Sequence, residues 1–287
     1  MFIGHLLKTA EWFSIRSTQP AFPATPQRIA TLSFPALVNS LILGFQPIAS
    51  TNFDRRGYAF PSYQDKVIAS LGGNAEPNIE TLSLLKPDLI LGWHMNNSGA
   101  YPLLSKIAPT VLYNWQGTPT WKKYFDFMAK TLGREEIARK AWDDYHDRVE
   151  ALKTALGDRY KDKTISFVYF CCQGVGSQSL DSFAGSILED IGLKRPAAQA
   201  VKAQHGEIYL SEEELTKADG DVIFVAAYTD SDKANLEQMQ KKSLWRTLKA
   251  VQQNRVYRVD AETWRDGNLM AANAVIDDLY KYLVNIP

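Results

Sequence analysis

Residues 76–94, EPNIETLSLLKPDLILGWH, contain the clearest signal of the fold in this sequence. Pro77 suits the first turn of a helix, where its missing N–H would have no partner, and Pro87 stops that helix. The next segment, Leu89–Leu91, is short and continuously apolar, which is typical of a parallel strand covered on both faces. Trp93 and His94 then follow the carboxyl end of the strand, where open α/β sheets bind ligands. The stretch therefore predicts a helix–strand unit that presents a ligand-binding loop.

Composition limits the class of protein. The chain has 287 residues, of which 45% are hydrophobic and 22% are charged, as in ordinary globular proteins. Its 32 basic residues balance 32 acidic ones, so we expect no binding to nucleic acid or to an anionic membrane. No apolar run is long enough to predict a membrane span. Cys171 and Cys172 are adjacent, so they cannot build a disulfide framework, and they leave the redox compartment open.

Strand and helix patterns alternate on both sides of one long helix. After an N-terminal extension over residues 1–25, residues 26–132 predict an N-terminal α/β lobe and residues 159–287 predict a second one. Between them, residues 133–158 predict one charged helix with a single apolar stripe that includes Ile137. Such a helix would be roughly 36 Å long. The sequence thus predicts two parallel-sheet α/β lobes joined by a single long helix.

Signatures of catalysis are absent from the sequence. It contains no phosphate loop, no His-Glu-x-x-His, no Gly-x-Ser-x-Gly and no cysteine–histidine metal cluster. Gly174 and Gly176 follow a predicted strand like the start of a dinucleotide-binding loop, but Ser179 stands where the third glycine would be. We therefore predict a binding protein that is not an enzyme and has no cofactor. A two-lobed α/β transferase is the competing class.

Large aromatic and cationic side chains recur directly after the predicted strands. Each of them alone is typical of an ordinary loop, but together they suit a cleft that grips a bulky ligand. The candidate ligand-binding residues from this pattern are Arg55, Arg56, Trp93, His94, Trp115, Tyr228, Trp264 and Arg265.

Several short motifs, in a fixed order from about residue 26 to the end, resemble one family. They are RIATL at residues 28–32, EPNIE at 76–80, LKPDLI at 85–90, LSKIAPTV at 104–111, NRVY at 254–257 and DA at 260–261. The chain resembles the cluster-A substrate-binding proteins of ABC importers, which bind ferric siderophores, haem or cobalamin. The resemblance implies two α/β lobes joined by a long helix, with the ligand held in a cleft between the lobes.

The same resemblance implies partners and a location. One surface glutamate per lobe docks onto the permease subunits of the ABC transporter in this family, and by motif position these glutamates are Glu80 and Glu213. We expect a monomer that is periplasmic, or exported and associated with the cell surface, although no clear signal peptide stands in residues 1–25. The alternative that stays open is an intracellular binding protein. Iron would be held by the chelator, so we expect no direct metal ligands.

The identity of the ligand is less constrained. In ferrichrome-type relatives an arginine before the Glu-Pro-Asn motif grips the iron-chelating oxygens, and here Asn74 stands at that position. An aromatic residue expected before the capped helix of the second lobe falls near His205. Arg55, Arg56 and Arg265 can donate charge-assisted hydrogen bonds to an anionic chelate. We expect a ferric siderophore of the hydroxamate or mixed citrate–hydroxamate type.

Haem or cobalamin binding by the same fold is the nearest alternative. A haem site requires a tyrosine or histidine ligand, and the candidates are Tyr228, His94 and His205. Trp93 stands at a strand end where cobalamin binders also place a tryptophan.

Overall fold

The structure is a computed structural model that describes residues 25–52, 68–74, 76–114, 121–171, 174–265 and 267–285. The described residues divide into two compact units. The first unit contains the described residues up to 114 and Lys122–Ala141, and the second contains Trp121 and residues 142–285. Each unit is built on its own β-sheet.

The sheet of the first unit is parallel throughout its described strands. These are β1 (Ile29–Thr31), β2 (Ala49–Ser50), β3 (Ala69–Ser70), β4 (Leu89–Trp93) and β5 (Thr110–Tyr113), in the order β3-β2-β1-β4-β5. The helices that alternate with them are α1 (Phe34–Ile42), α2 (Ile79–Leu85), α3 (His94–Asn97) and α4 (Tyr101–Ile107). The prediction of a parallel α/β arrangement is confirmed for this unit.

Residues 76–94 fold as a helix followed by a buried strand, with one difference from the prediction. The side chain of Asn78 caps α2 by accepting a hydrogen bond from the N–H of Thr81 at 2.9 Å. Pro77 therefore precedes the helix and does not occupy its first turn, because asparagine is a strongly preferred capping residue. Lys86 has a φ of 47° and ends the helix before Pro87. β4 follows and is buried along all but its last residue.

Two helices lead from the first sheet to the second. They are α5 (Trp121–Leu132) and α6 (Glu135–Leu156), and α6 has 22 residues, close to the predicted span of 133–158. The division between the units falls inside α6. Its buried stripe begins at Ala138, because Ile137, which we expected in the stripe, is 41% exposed.

Trp121 belongs to the second unit, whereas the expected boundary at residue 132 placed it in the first lobe. Its indole Nε1 donates a hydrogen bond to Ser186 Oγ at 3.0 Å. Its ring centroid lies 5.4 Å from that of Trp142, 5.7 Å from that of Tyr145 and 5.4 Å from that of Phe183. Packing of large rings, and not chain order, therefore decides where this residue belongs.

The sheet of the second unit is mixed. Its described strands are β6 (Ile165–Cys171), β7 (Gly174–Gln178), β8 (Glu207–Leu210), β9 (Val222–Ala227) and β10 (Val256–Arg258), in the order β10-β9-β6-β7-β8. β6, β9 and β10 are parallel, whereas β7 and β8 are antiparallel to their neighbours. The predicted parallel arrangement holds for β6, β9 and β10, and the sequence did not indicate the two antiparallel strands beside them. So short a connection between β6 and β7 joins only antiparallel strands. Gly174 and Gly176 lie in β7 and form no dinucleotide-binding loop.

The helices of the second unit lie between and after these strands. Those with α geometry are α7 (Phe183–Asp190), α8 (Asp230–Lys241), α9 (Ser243–Thr247), α10 (Lys249–Gln252), α11 (Ala261–Arg265) and α12 (Leu269–Leu279). Three 3-10 turns cover Gly157–Tyr160, Gln204–Gly206 and Glu212–Ala218, and a π turn covers Tyr280–Val284. None of the helices in the described residues is long and apolar enough to cross a lipid bilayer.

Candidate functional site

Trp93 ends strand β4 and is held there by a buried asparagine. The side chain of Asn97 is fully buried and accepts a hydrogen bond from the backbone N–H of Trp93 at 3.1 Å. The same side chain donates to the backbone oxygen of Asn74 at 2.9 Å. Gly92 leaves room for this contact, because a Cβ there would lie 2.7 Å from the Asn97 side-chain oxygen. Asn97 thus fixes the backbone from which the indole of Trp93 projects, by binding both Trp93 and Asn74.

A group of four aromatic rings stands at the carboxyl ends of β4 and β5. Tyr113 is the register partner of Trp93, and its ring lies 5.0 Å from that of Tyr124 and 4.8 Å from that of Phe127. Trp93 meets Tyr124 edge-on at 5.8 Å. Burial raises the pKa of Tyr124, so its hydroxyl stays protonated. This group gives the first unit an apolar surface beside the strand ends that the sequence singled out.

Of the other candidate ligand-binding residues of the first unit, only His94 lies in the described part of the chain. His94 is exposed at the start of α3, directly after Trp93. Asn74, at the position where the resemblance led us to look for an arginine, accepts a hydrogen bond from Thr51 Oγ1 at 2.7 Å and so joins neighbouring strand ends. The candidates Arg55, Arg56 and Trp115 lie outside the described residues.

In the second unit, two predicted residues are direct partners. Arg265, at the end of α11, donates from Nη1 to the hydroxyl of Tyr228 at 2.7 Å. Its Nη2 donates to Glu207 Oε1 at 2.8 Å, in an ion pair whose side chains are only 20% and 19% exposed. The guanidinium also lies over the ring of Tyr169, with Cζ 3.8 Å from the centroid. We call these four residues the Arg265 cluster.

Glu207 is the acceptor at the centre of the Arg265 cluster. Besides Arg265, the hydroxyl of Tyr169 donates to Oε2, and Gln178 Nε2 donates to Oε1 at 3.4 Å. Gln178 is the register partner of Glu207 across β7 and β8. The carboxylate is therefore fixed by two neutral donors of the sheet in addition to the cation.

The charge states within the cluster follow from its contacts. Burial by itself would lower the pKa of Arg265, but Tyr228, Tyr169 and Glu207 outweigh it and raise that pKa, so the guanidinium stays charged. Burial raises the pKa of Tyr169, and its phenol remains a neutral donor. The Nε of Arg265 is buried and has no hydrogen-bond partner among the described residues. A buried donor of this kind is costly unless a ligand or water satisfies it.

Trp264 requires a correction, because we expected it to face the ligand. Its side chain is 0% exposed. The indole is stacked on Phe224 with centroids 4.6 Å apart, it lies 5.0 Å from Phe167, and its Nε1 donates to Asp278 at 2.8 Å. Trp264 is therefore a core residue of the second unit. Its neighbour in sequence, Arg265, makes the polar contacts of the candidate site.

Strand β8 was not predicted, and with it the sequence reasoning missed Glu207 and Tyr209. These residues are two apart and so share one face of the strand. Tyr209 is 75% exposed and pairs with Gly176, which in turn pairs with Tyr169. His205, the candidate in this region, is exposed in the turn before β8, with a φ of 59°. The alternating polar and apolar pattern at residues 207–210 was the available signal, but it is only four residues long.

Comparison with known proteins assigns the family. The sequence model described as periplasmic binding protein matches residues 49–263, which is more than half of the chain. The chain belongs to the periplasmic binding protein family. This agrees with the resemblance drawn from the short motifs.

Relatives of this periplasmic binding protein are named for iron chelates. It is 32% identical over 279 residues to the probable siderophore-binding lipoprotein YfiY of Bacillus subtilis, covering 93% of this chain and 85% of the relative. It is 26% identical to the Fe(3+) dicitrate-binding periplasmic protein FecB of Escherichia coli, covering 92% and 87%. The crystal structure of Staphylococcus aureus SirA complexed with staphyloferrin B is similar with a TM-score of 0.80 and 29% identity, covering 92% of this chain and 94% of that one.

The two glutamates expected on the surface of this periplasmic binding protein are exposed. Glu80 lies in the first turn of α2, and Glu213 lies in the first turn of the 3-10 helix Glu212–Ala218. A carboxylate at either position is favoured by the dipole of its own helix. In the described part of the chain, histidine, cysteine, aspartate and glutamate form no group of three or more that could hold a metal ion.

Proposed function

We propose that this chain is the substrate-binding component of an ABC importer and captures a ferric siderophore of the hydroxamate or mixed citrate–hydroxamate type. Relatives whose names refer to siderophores and to Fe(3+) dicitrate support this proposal, as does the similarity to SirA complexed with staphyloferrin B. Iron would arrive as cargo inside the chelate, and the protein would have no resident cofactor and no catalytic residue.

The observation that carries the proposal is the fixed guanidinium of Arg265. Chelating oxygens around ferric iron carry negative charge, and hydrogen bonds to them are strengthened when the donor is a cation. Stacking on Tyr169 and the bond to Tyr228 hold the guanidinium plane before any ligand arrives. A donor that is already ordered loses little conformational entropy on binding. Arg265 is therefore well suited to hold a chelate oxygen.

The aromatic group of the first unit supplies a different kind of contact. Trp93 and Tyr113 end neighbouring strands, and their rings can cover the apolar backbone of a siderophore. Such backbones contain hydrocarbon segments between the chelating groups, so a binder requires both kinds of surface. His94 and His205 are exposed, and we keep both as proposed ligand contacts.

The remaining parts of the proposal concern partners. We infer that Glu80 and Glu213 contact permease subunits of the importer, that the protein acts as a monomer, and that it works in the periplasm or at the outer cell surface. The exposure of both carboxylates supports the contact with a permease. The relatives named as periplasmic proteins or lipoproteins support the location.

A titration with a panel of possible ligands tests the proposal. The purified chain would be mixed with ferric hydroxamate, ferric citrate–hydroxamate, haem and cobalamin, and the retained ligand would be identified by native mass spectrometry and by its absorption spectrum. We expect retention of a ferric chelate at one per chain. Retention of haem or cobalamin alone would replace the proposed ligand, while the assignment as a binding protein would stand.

A further inference from the structure

The Arg265 cluster contains one cation and one anion in direct contact, so their charges cancel. Arg265 and Glu207 form the ion pair at 2.8 Å, and the hydroxyl groups of Tyr169 and Tyr228 complete the cluster. An arginine without a carboxylate partner would attract an anionic chelate strongly. A paired arginine still donates hydrogen bonds, but its long-range field is largely offset by the neighbouring carboxylate.

Glu207 is anchored independently of Arg265. The hydroxyl of Tyr169 and the amide of Gln178 both donate to it, and β8 pairs with β7 at this residue. A ligand that displaced the carboxylate from Arg265 would also leave these two donors without their acceptor, and an unsatisfied buried donor is costly. The carboxylate therefore stays beside the guanidinium when a ligand binds.

We propose that Glu207 is a specificity-determining residue, and that its fixed carboxylate makes the site favour ferric chelates with little or no net charge over multiply anionic ones. This inference rests on the proposed function and narrows its class of cargo. A neutral ferric trihydroxamate can accept hydrogen bonds from Arg265 without repulsion from Glu207. A trianionic ferric tris-catecholate is repelled by Glu207 at every bound position close to Arg265.

The test compares the wild-type chain with Glu207→Gln for both classes of chelate. Glutamine keeps an acceptor for Arg265 and removes the negative charge. At low ionic strength we expect the substitution to tighten binding of the trianionic tris-catecholate roughly tenfold. The gain should exceed any change in the affinity for the neutral trihydroxamate by roughly that tenfold factor, and it should shrink as salt is added. Comparing each chelate with itself removes differences of size and shape.

Two further variants separate charge from geometry. Glu207→Asp keeps the charge and shortens the side chain, and we expect it to retain the wild-type preference. Tyr209→Glu adds a second carboxylate on the same face at a 75% exposed position, where folding tolerates it, and should weaken the tris-catecholate more than the trihydroxamate. If Tyr209→Glu weakens both chelates by the same factor, the site does not discriminate by charge and the inference is overturned, even where Glu207→Gln fails to fold.

The outcomes distinguish the inference from the function on which it rests. If the wild-type chain binds no ferric chelate, the proposed function and the inference both fail. If it binds ferric chelates but Glu207→Gln changes both affinities by the same factor, only the inference is overturned. Equal behaviour of Glu207→Asp and Glu207→Gln would likewise overturn it, because the effect would then come from geometry.

Discussion

The guanidinium of Arg265 lies over the ring of Tyr169, 3.8 Å from its centroid. The two residues come from elements far apart in the chain, the end of α11 and strand β6. Cation–π contacts of this kind favour a charged, flat and immobile guanidinium. The stack therefore provides the second unit with a donor whose direction is set by the fold.

Two substitutions of Arg265 should weaken chelate binding to different extents. Arg265→Lys keeps the charge but loses the planar fork and the stack, so we expect affinity to fall about tenfold. Arg265→Ala removes the cation and leaves Glu207 without its charged partner, and affinity should fall further. Fluorescence titration with a ferric hydroxamate measures both. Arg148→Ala, at a surface ion pair in the same unit, is the matched control and should bind like wild type.

Gly176 is required because the ring of Tyr169 covers it. A Cβ at residue 176 would lie 2.1 Å from Cζ and 2.3 Å from the hydroxyl oxygen of Tyr169. We expect Gly176→Ala to lower the free energy of unfolding by about 1–3 kcal/mol, as in other overpacked sites. Gly174→Ala is the control in the same strand, since its Cβ would meet nothing closer than 3.9 Å. Equal denaturation midpoints for the two variants would show that the ring moves aside without cost.

Asn97 should control how Trp93 is presented. Asn97→Ala removes the acceptor for the Trp93 N–H and the donor to Asn74, both at a fully buried position. The expected loss of stability is about 1–3 kcal/mol, together with weaker chelate binding. The neighbouring Asn96→Ala is the control and should have little effect on either quantity. A fully stable Asn97→Ala variant would contradict the role assigned to this side chain.

Two of the three candidate tryptophans, Trp93 and Trp264, should respond differently to substitution. Trp264 is a core residue, so Trp264→Phe should cost about 1–3 kcal/mol of unfolding free energy, partly because Asp278 loses its donor. Its chelate affinity should stay within a few-fold of wild type. Trp93→Ala should instead reduce affinity more than stability. Chemical denaturation and ligand titration on the same preparations decide between these patterns.

Substitution of the surface glutamates should separate binding from transport. Glu80→Ala and Glu213→Ala should keep wild-type affinity for the chelate, because both side chains are exposed on helix starts. Uptake of iron by cells that carry the complete importer should fall for each variant and fall most for the double variant. Glu76→Ala and Glu237→Ala, at two other exposed glutamates, are the controls and should leave uptake unchanged. If the double variant takes up iron like the wild type, the two glutamates do not contact the permease in the way proposed.

Local patterns in the sequence predicted the elements whose signals are strong. The apolar run at residues 89–91 and the stripe of the long helix gave β4 and α6 nearly at their observed bounds. Large residues after strands pointed to Tyr228 and Arg265, which the structure places in direct contact. The predictions of the strand and the helix succeeded because each depends on residues close together in the chain.

The errors concern features that depend on distant parts of the chain. β8 has only four residues, too few for their alternating pattern to predict a strand, and Glu207 was missed with it. The antiparallel placement of β7 and β8 is a matter of pairing, which a strand's own sequence does not specify. Trp264 and Arg265 are adjacent in sequence, but one is buried under Phe224 and the other is paired with Glu207. The sequence pattern could not separate them.

Capture of a chelate by Arg265 is decided by the affinity of the purified chain for a neutral ferric hydroxamate, with and without this side chain. Isothermal titration calorimetry should give one ferric chelate per wild-type chain and affinity at least tenfold weaker for Arg265→Ala, roughly 1.4 kcal/mol or more. The variant must melt as a folded protein for the comparison to hold. Equal affinity of the two proteins would contradict the role of Arg265, and binding of haem or cobalamin but of no ferric chelate would contradict the proposed ligand.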